Sequence, residues 1–250
     1  MQPNAVTVQG EVETALAGLL GGAVRVKGAG RTDTGVHAFG QVATFDTMAG
    51  YTPATFVRAL NARLAEDVAV TDSCEVAPGF DARRHALRRW YRYSVLNRPA
   101  ASPLLRQRTT WVRGALEVAA MDAAAGLLVG RHDLAAFSGP LSRETMTTVR
   151  TVFRSTVRRV GEQVILDIEA EAFLPQQVRR TMGVLLDVGR GACGPARVAQ
   201  LLAQPVLGSA EHAAPPEGLY LMDVVYPEGA VTFAARTEGV FAPLALSTKL

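Results

Sequence analysis

The chain predicts an α+β fold, with helices covering one face of largely antiparallel sheets, and three observations carry that reading. Helical and strand-like periodicities alternate along its 250 residues. Strand-like runs are joined by short turns, above all Thr151 to Val160 and Gln163 to Phe173 across Gly161-Glu162, which should pair as a hairpin. A hydrophobic content of 48% at this length supplies a substantial core, in one large domain or two small ones.

In chain order, Val8, Val12, Leu16, Leu19 and Leu20 recur at helical spacing behind Thr7, a residue suited to capping, so a first helix should end near Gly21-Gly22. Ala23 to Lys27 and Gln41 to Asp46 alternate at period two and read as strands flanking a glycine-bounded loop. Thr52-Pro53 starts a second helix with Phe56, Val57, Leu60 and Leu64 on its stripe. Val68 to Val76 reads as a strand, and Trp90 to Val95 as another. After a turn-rich break at Asn97 to Pro103, Leu116, Met121, Ala124, Ala125 and Leu128 mark a third helix closed by Gly130. The hairpin follows, then helices over Val178 to Val188 and Pro195 to Leu202, and a late strand from Leu219 to Tyr226. Neither a repeat nor a low-complexity linker divides the chain. The expected division is 1–84, with the glycine-bounded loop, and 85–250.

Composition excludes several classes. No window reaches the roughly 18 apolar residues of a membrane span, and the N-terminus lacks a secretory pattern, which places the protein in the cytoplasm. Cys74 and Cys193 stand alone, and His37, His85, His132 and His212 are scattered, so neither a disulfide framework nor a metal site is expected. Net charge is only +3, but its arrangement is more telling. Arg83, Arg84, Arg88, Arg89, Arg92 and Arg98 fall in a segment whose one acid is Asp81, and Trp90, Tyr91 and Tyr93 interleave with them. That pattern suits phosphates and unstacked bases. It equally suits a solvated strand face with core aromatics between.

The loop Gly28-Ala29-Gly30-Arg31-Thr32-Asp33-Thr34-Gly35-Val36-His37-Ala38 is the candidate site. Glycines 28, 30 and 35 permit backbone angles closed to other residues, which would present Arg31 and Asp33 side by side. Asp and Thr in such a turn commonly bond their own backbone, but Gly30 to Ala38 as a whole resembles the signature of the tRNA pseudouridine synthase A family. Three further stretches are similar to that family, in the same order. Ala82-Arg83 through Arg89-Trp90-Tyr91-Arg92-Tyr93 resembles its segment ending in Tyr-x-Tyr, and puts Tyr91 at the active-site tyrosine. Ala172-Phe173-Leu174 with Val178-Arg179-Arg180 and Gly183 resembles its strand-to-helix element, and puts Arg179 at the functional arginine. Glu217-Gly218-Leu219-Tyr220-Leu221 resembles its C-terminal strand.

The resemblance implies a pseudouridine synthase fold of two α/β-sandwich-like subdomains with the active-site cleft between them. It also implies a homodimer, with no metal or cofactor, that isomerises uridine at positions 38, 39 and 40 of the tRNA anticodon stem-loop. Asp33 would be the catalytic carboxylate, with Arg31 and Arg179 paired to it to keep it ionised. Tyr91 would stack on the extruded base, and Arg83, Arg89 and Arg92 would grip phosphates. Asp81, Asp133, Asp167 and His37 are read as structural, His37 fixing the loop. The family begins with a strand containing Tyr-Asp-Gly and then Gly-Trp-Gln, whereas this chain starts just past that point. Met1 is therefore expected to be an internal methionine of a longer native chain, and an intact mass of 26.6 kDa for the protein from its own locus would refute this. A tRNA-binding or tRNA-folding protein without chemistry is the alternative. A nucleotide cradle at Gly28-Ala29-Gly30 is weaker, since the Gly-x-Gly-x-x-Gly spacing is absent.

Overall fold

A computed structural model of the chain describes residues 6–142 and 147–233. In order, the regular elements are α1 (Val8–Leu20), β1 (Lys27–Gly28), β2 (His37–Ala38), β3 (Ala43–Thr44), α2 (Pro53–Asn61), β4 (Arg88–Asn97), β5 (Thr110–Val112), α3 (Val118–Gly126), β6 (Gly130–Asp133), β7 (Val149–Val160), β8 (Gln163–Ala170), α4 (Gln177–Gly189), α5 (Ala196–Ala203) and β9 (Leu219–Val225). By packing, the described residues of 6–31, Gln41–Leu87 and 226–233 form one unit, while those of Thr32–Gly40 and Arg88–Val225 form a second, larger one.

The smaller unit follows its capping signals. Thr7 sits in extended backbone and its side chain accepts from Gly10 N at 3.1 Å, and Gly21 ends α1 in the left-handed region. Thr52 accepts from Thr55 N at 3.3 Å to start α2, with Pro53 in its first turn. Burial of Ala15, Leu16, Val26, Phe56 and Leu60 joins the two helices in one apolar cluster, with Phe45 and Val70 packed against it. The flanking runs pair over only two residues, Lys27 with Thr44 and Gly28 with Ala43, so these strands are shorter than expected. The strand expected over Val68 to Val76 does not form. At Val70 the Asn61 side chain stands where a partner strand would: its amide donates to Val70 O and accepts from Val70 N, both at 2.8 Å.

The larger unit is a seven-stranded sheet in the order β2-β9-β4-β8-β7-β6, with β5 continuing the β9 edge of β4. The expected hairpin is β7 and β8, closed from Val160 to Gln163 around Gly161. Pairing is antiparallel except for β2 on β9 and β5 on β4. Strands β5 and β6 escaped the sequence reading, being too short to show periodicity. Helices α3 and α4 lie against β7 and β4 respectively, and α5 against α3. Along β4 the side chains alternate, which puts Arg89, Tyr91, Tyr93 and Val95, all buried, on one face and Trp90 and Arg92, half-buried, on the other. No described helix is long and apolar enough to cross a membrane.

Candidate active site

The Asp33 loop packs with the larger unit because β2 pairs in parallel with β9, His37 opposite Tyr220 and Ala38 opposite Leu221. Phe39 N donates to Leu221 O at 2.8 Å, and Val36 N donates to Asp33 O at 3.0 Å to close the turn. Gly35 holds a φ of 81°, and a Cβ there would sit 3.0 Å from Pro216 Cγ. Gly28 and Gly30, expected to share that freedom, have negative φ.

Arg179 reaches Asp33 from the first turn of α4. Its Nη1 donates to Asp33 Oδ2 at 2.7 Å, with the Arg179 side chain 15% exposed and that of Asp33 41%. A two-way tie to the backbone aims the guanidinium: Arg179 Nε donates to Ala214 O at 2.8 Å, and Ala214 N donates to Arg179 O at 2.9 Å. The chain lies this close because residue 183, one turn further along α4, is glycine; a Cβ there would run into the carbonyl oxygen of His212. Tyr93 holds the next residue, its hydroxyl donating to Pro215 O at 2.6 Å and sharing a hydrogen bond with Thr110. Sequence reasoning missed this role of Tyr93, although its parity with Tyr91 along β4 was a signal for it.

Tyr91 is buried with its ring edge-on to Phe173, centroids 5.0 Å apart. Burial pushes its phenol up to about 12; the Arg89 charge opposes that and the Asp33 charge adds to it. The hydroxyl therefore keeps its proton at neutral pH. Arg89, also buried, donates from Nη1 to Glu171 O at 2.6 Å.

Arg92 needs correction. It lies on the opposite face of β4 from Tyr91 and forks onto Asp167, Nε to Oδ1 at 2.8 Å and Nη2 to Oδ2 at 3.2 Å. Trp90 Nε1 donates to the same carboxylate at 2.9 Å, and Arg158 adds a further bond. Burial alone would raise the Asp167 carboxyl, but bonds from Arg92, Arg158 and Trp90 hold it below the usual range. Arg92 thus secures the sheet. The structure does not bring the remaining candidates together with Asp33 in one unit: Arg31 and Arg83 are exposed residues of the smaller unit. Arg31 is in no ion pair among the described residues, and Arg83 N donates to Asp81 Oδ1 at 2.9 Å, within the turn that Asp81 organises. Among the described residues, no three His, Cys, Asp or Glu side chains group as a metal site.

A family model described as tRNA pseudouridine synthase matches residues 1–83 and 124–227, stretches that include Arg31, Asp33, Arg83 and Arg179 but not Arg89, Tyr91 or Arg92. The tRNA pseudouridine synthase A of Methylococcus capsulatus is 42% identical over 95% of this chain and 86% of its own length. Its counterpart from Pelobacter propionicus is 42% identical over 90% of this chain and 92% of its own. The Neisseria meningitidis enzyme is 41% identical over 89% and 83%.

Proposed function

The chain belongs to the tRNA pseudouridine synthase family, and from that premise we propose that it isomerises uridine at positions 38, 39 and 40 of the tRNA anticodon stem-loop, with Asp33 as the reacting carboxylate. The observation that supports this most is the 2.7 Å pair between Asp33 and Arg179 in the unit that also buries Tyr91. The enzyme is an isomerase: the bond from C1′ to N1 breaks, the uracil turns while held, and C5 bonds to C1′, with the C5 proton lost and N1 regaining one. No electrons are gained or lost overall, so the reaction asks for no redox cofactor.

Asp33 serves in one of two ways, adding covalently to the nucleoside or removing a sugar proton as the base departs. Its exposure leaves room for either approach, and Arg179 fixes which oxygen faces the substrate. Extruding the stacked base costs about a few kcal/mol. Stacking of the base on the Tyr91 ring offsets part of that, worth roughly 1–3 kcal/mol per base. Because the Tyr91 phenol is protonated, it takes the C5 proton only by passing its own onward. Arg89 contributes positive charge beside Tyr91, and the exposed Arg31 and Arg83 meet phosphates, which gives salt-dependent affinity with little base specificity. The working form is a cytoplasmic homodimer, to be checked by the mass of the purified protein in solution against twice 26.6 kDa.

Incubating purified protein with tRNA and mapping pseudouridine in the anticodon arm tests the reading. The expected result is conversion at positions 38 to 40 by the parent, and intact tRNA binding without conversion by Asp33→Asn, whose amide is neither nucleophile nor base. Conversion by the amide variant at the parental rate would overturn it.

A further inference from the structure

His37 sends its side chain out of the Asp33 loop toward a neighbouring turn. Its Nε2 lies 2.7 Å from the main-chain oxygen of Gln107. A carbonyl only accepts, so Nε2 carries the hydrogen and donates it. The adjacent carbonyl, that of Arg108, accepts the hydroxyl of Tyr220, the residue directly opposite His37 in the pairing of β2 and β9. The imidazole also stacks on the Tyr220 ring, centroids 4.8 Å apart and planes 22° apart, and Phe39 stacks on the same ring at 5.6 Å. Burial pushes the Tyr220 phenol up to about 12 against the pull of the Arg108 charge, so its hydroxyl remains a donor.

The receiving turn is built to present those two oxygens. Gln107 holds a φ of 64°, left-handed in a residue with a Cβ, a strained conformation that persists only where its surroundings impose it. Arg108 N and Thr109 N both donate to Leu105 O, at 2.9 and 3.1 Å, and pin the turn from the other side. On the loop side, the bond from Val36 N to Asp33 O ties the backbone just before His37 to that of Asp33, so a displacement at His37 carries through to the carboxylate.

We infer that His37 is a positioning residue: by donating to Gln107 O while seated on Tyr220, it sets the register of the loop and aims Asp33 at the Arg179 guanidinium and the substrate. The imidazole touches no reacting atom in this role. The inference rests on the reading of Asp33 as the reacting carboxylate and adds what holds that carboxylate in place. Reaction rates depend steeply on such placement, about 10²-fold for a misplacement of an ångström.

Two substitutions separate the donor from the ring. His37→Phe keeps an aromatic face for Tyr220 and removes the donor; His37→Gln keeps an N–H at similar reach. In single-turnover assays, His37→Phe should convert tRNA about 10²-fold more slowly with an unchanged tRNA dissociation constant, and His37→Gln should recover most of that rate. A parental rate in His37→Phe, an equal loss in both variants, or a loss of tRNA affinity at an intact rate would each overturn the inference. Should His37→Phe fail to fold, nitrogen-15 NMR of the parent protein decides: the proton is expected on Nε2 of the His37 ring, and a neutral ring protonated on Nδ1 overturns it. Asp33→Asn assayed alongside keeps the two readings apart. Its activity would sink the assignment of Asp33, whereas an inactive Asp33→Asn beside a fully active His37→Phe would sink only the role given to His37.

Discussion

Asp33 and Asp167 are both aspartates held by arginine, and they differ in how completely they are held. Asp167, its side chain 3% exposed, receives two bonds from Arg92, one from Arg158 and one from Trp90. Among the described residues, one side-chain donor reaches Asp33, the Arg179 guanidinium, and its side chain stays 41% exposed. A carboxylate has about four lone-pair sites, so Asp167 has nothing left to offer a substrate while Asp33 keeps most of its capacity. Arginine beside aspartate is therefore no sign of chemistry by itself. Spare lone pairs open to solvent are the distinguishing mark.

The comparison breaks if exchanging the two carboxylates for neutral groups gives similar phenotypes. Asp33→Asn should lower the single-turnover rate by about 10⁴-fold and leave the melting temperature unchanged. Asp167→Ala should do the opposite: stability in urea falls by about 1.5–3 kcal/mol, since the half-buried Arg92 and Trp90 lose their charged acceptor, while the folded fraction keeps a near-parental rate. A pH titration sharpens the contrast. The Asp167 pKa is lowered from 3.8 by its donors in the folded state, so its contribution to stability is complete above about that pH and is lost on further acidification. The variant should lack this part of the acid limb. Arg92→Lys, which removes the two-pronged geometry, should cost about 1–2 kcal/mol of stability with tRNA affinity unchanged, as measured by unfolding and filter binding. A large loss of affinity would restore Arg92 as a phosphate contact. The smallest effect is expected from Gly35→Ala, about 1 kcal/mol in unfolding, because alanine must adopt the 81° φ against Pro216.

Local chemistry was the legible part of this fold. Thr7 and Thr52 cap their helices, Gly21 stops α1, and the Gly161 hairpin pairs as its alternation requires, since each signal acts within a few residues. Distant pairings were not legible. Nothing between Thr32 and Gly40 says that this loop lies along β9 instead of packing with the strands that flank it in sequence. Val68 to Val76 has strand composition, but Asn61 takes the backbone groups of Val70. Within the site, Asp33, Tyr91 and Arg179 were named from residues and resemblance, and the structure places all three in one unit. Arg89 and Arg92 looked alike in a basic run, although strand parity already separates them: Arg89 shares a face with Tyr91, and Arg92 lies on the other with Trp90. The tie between Ala214 and Arg179 spans 35 residues of irregular chain and left no pattern to read.

The parallel pairing of β2 with β9 has a consequence for synthesis on the ribosome. The segment bearing Asp33 is translated well before the strand it lies along, Leu219–Val225. Closing so long a loop is entropically costly, and no nascent fragment ending before Tyr220 has a ledge on which to seat His37. Truncated products should accordingly be inert toward RNA even where their helices have formed.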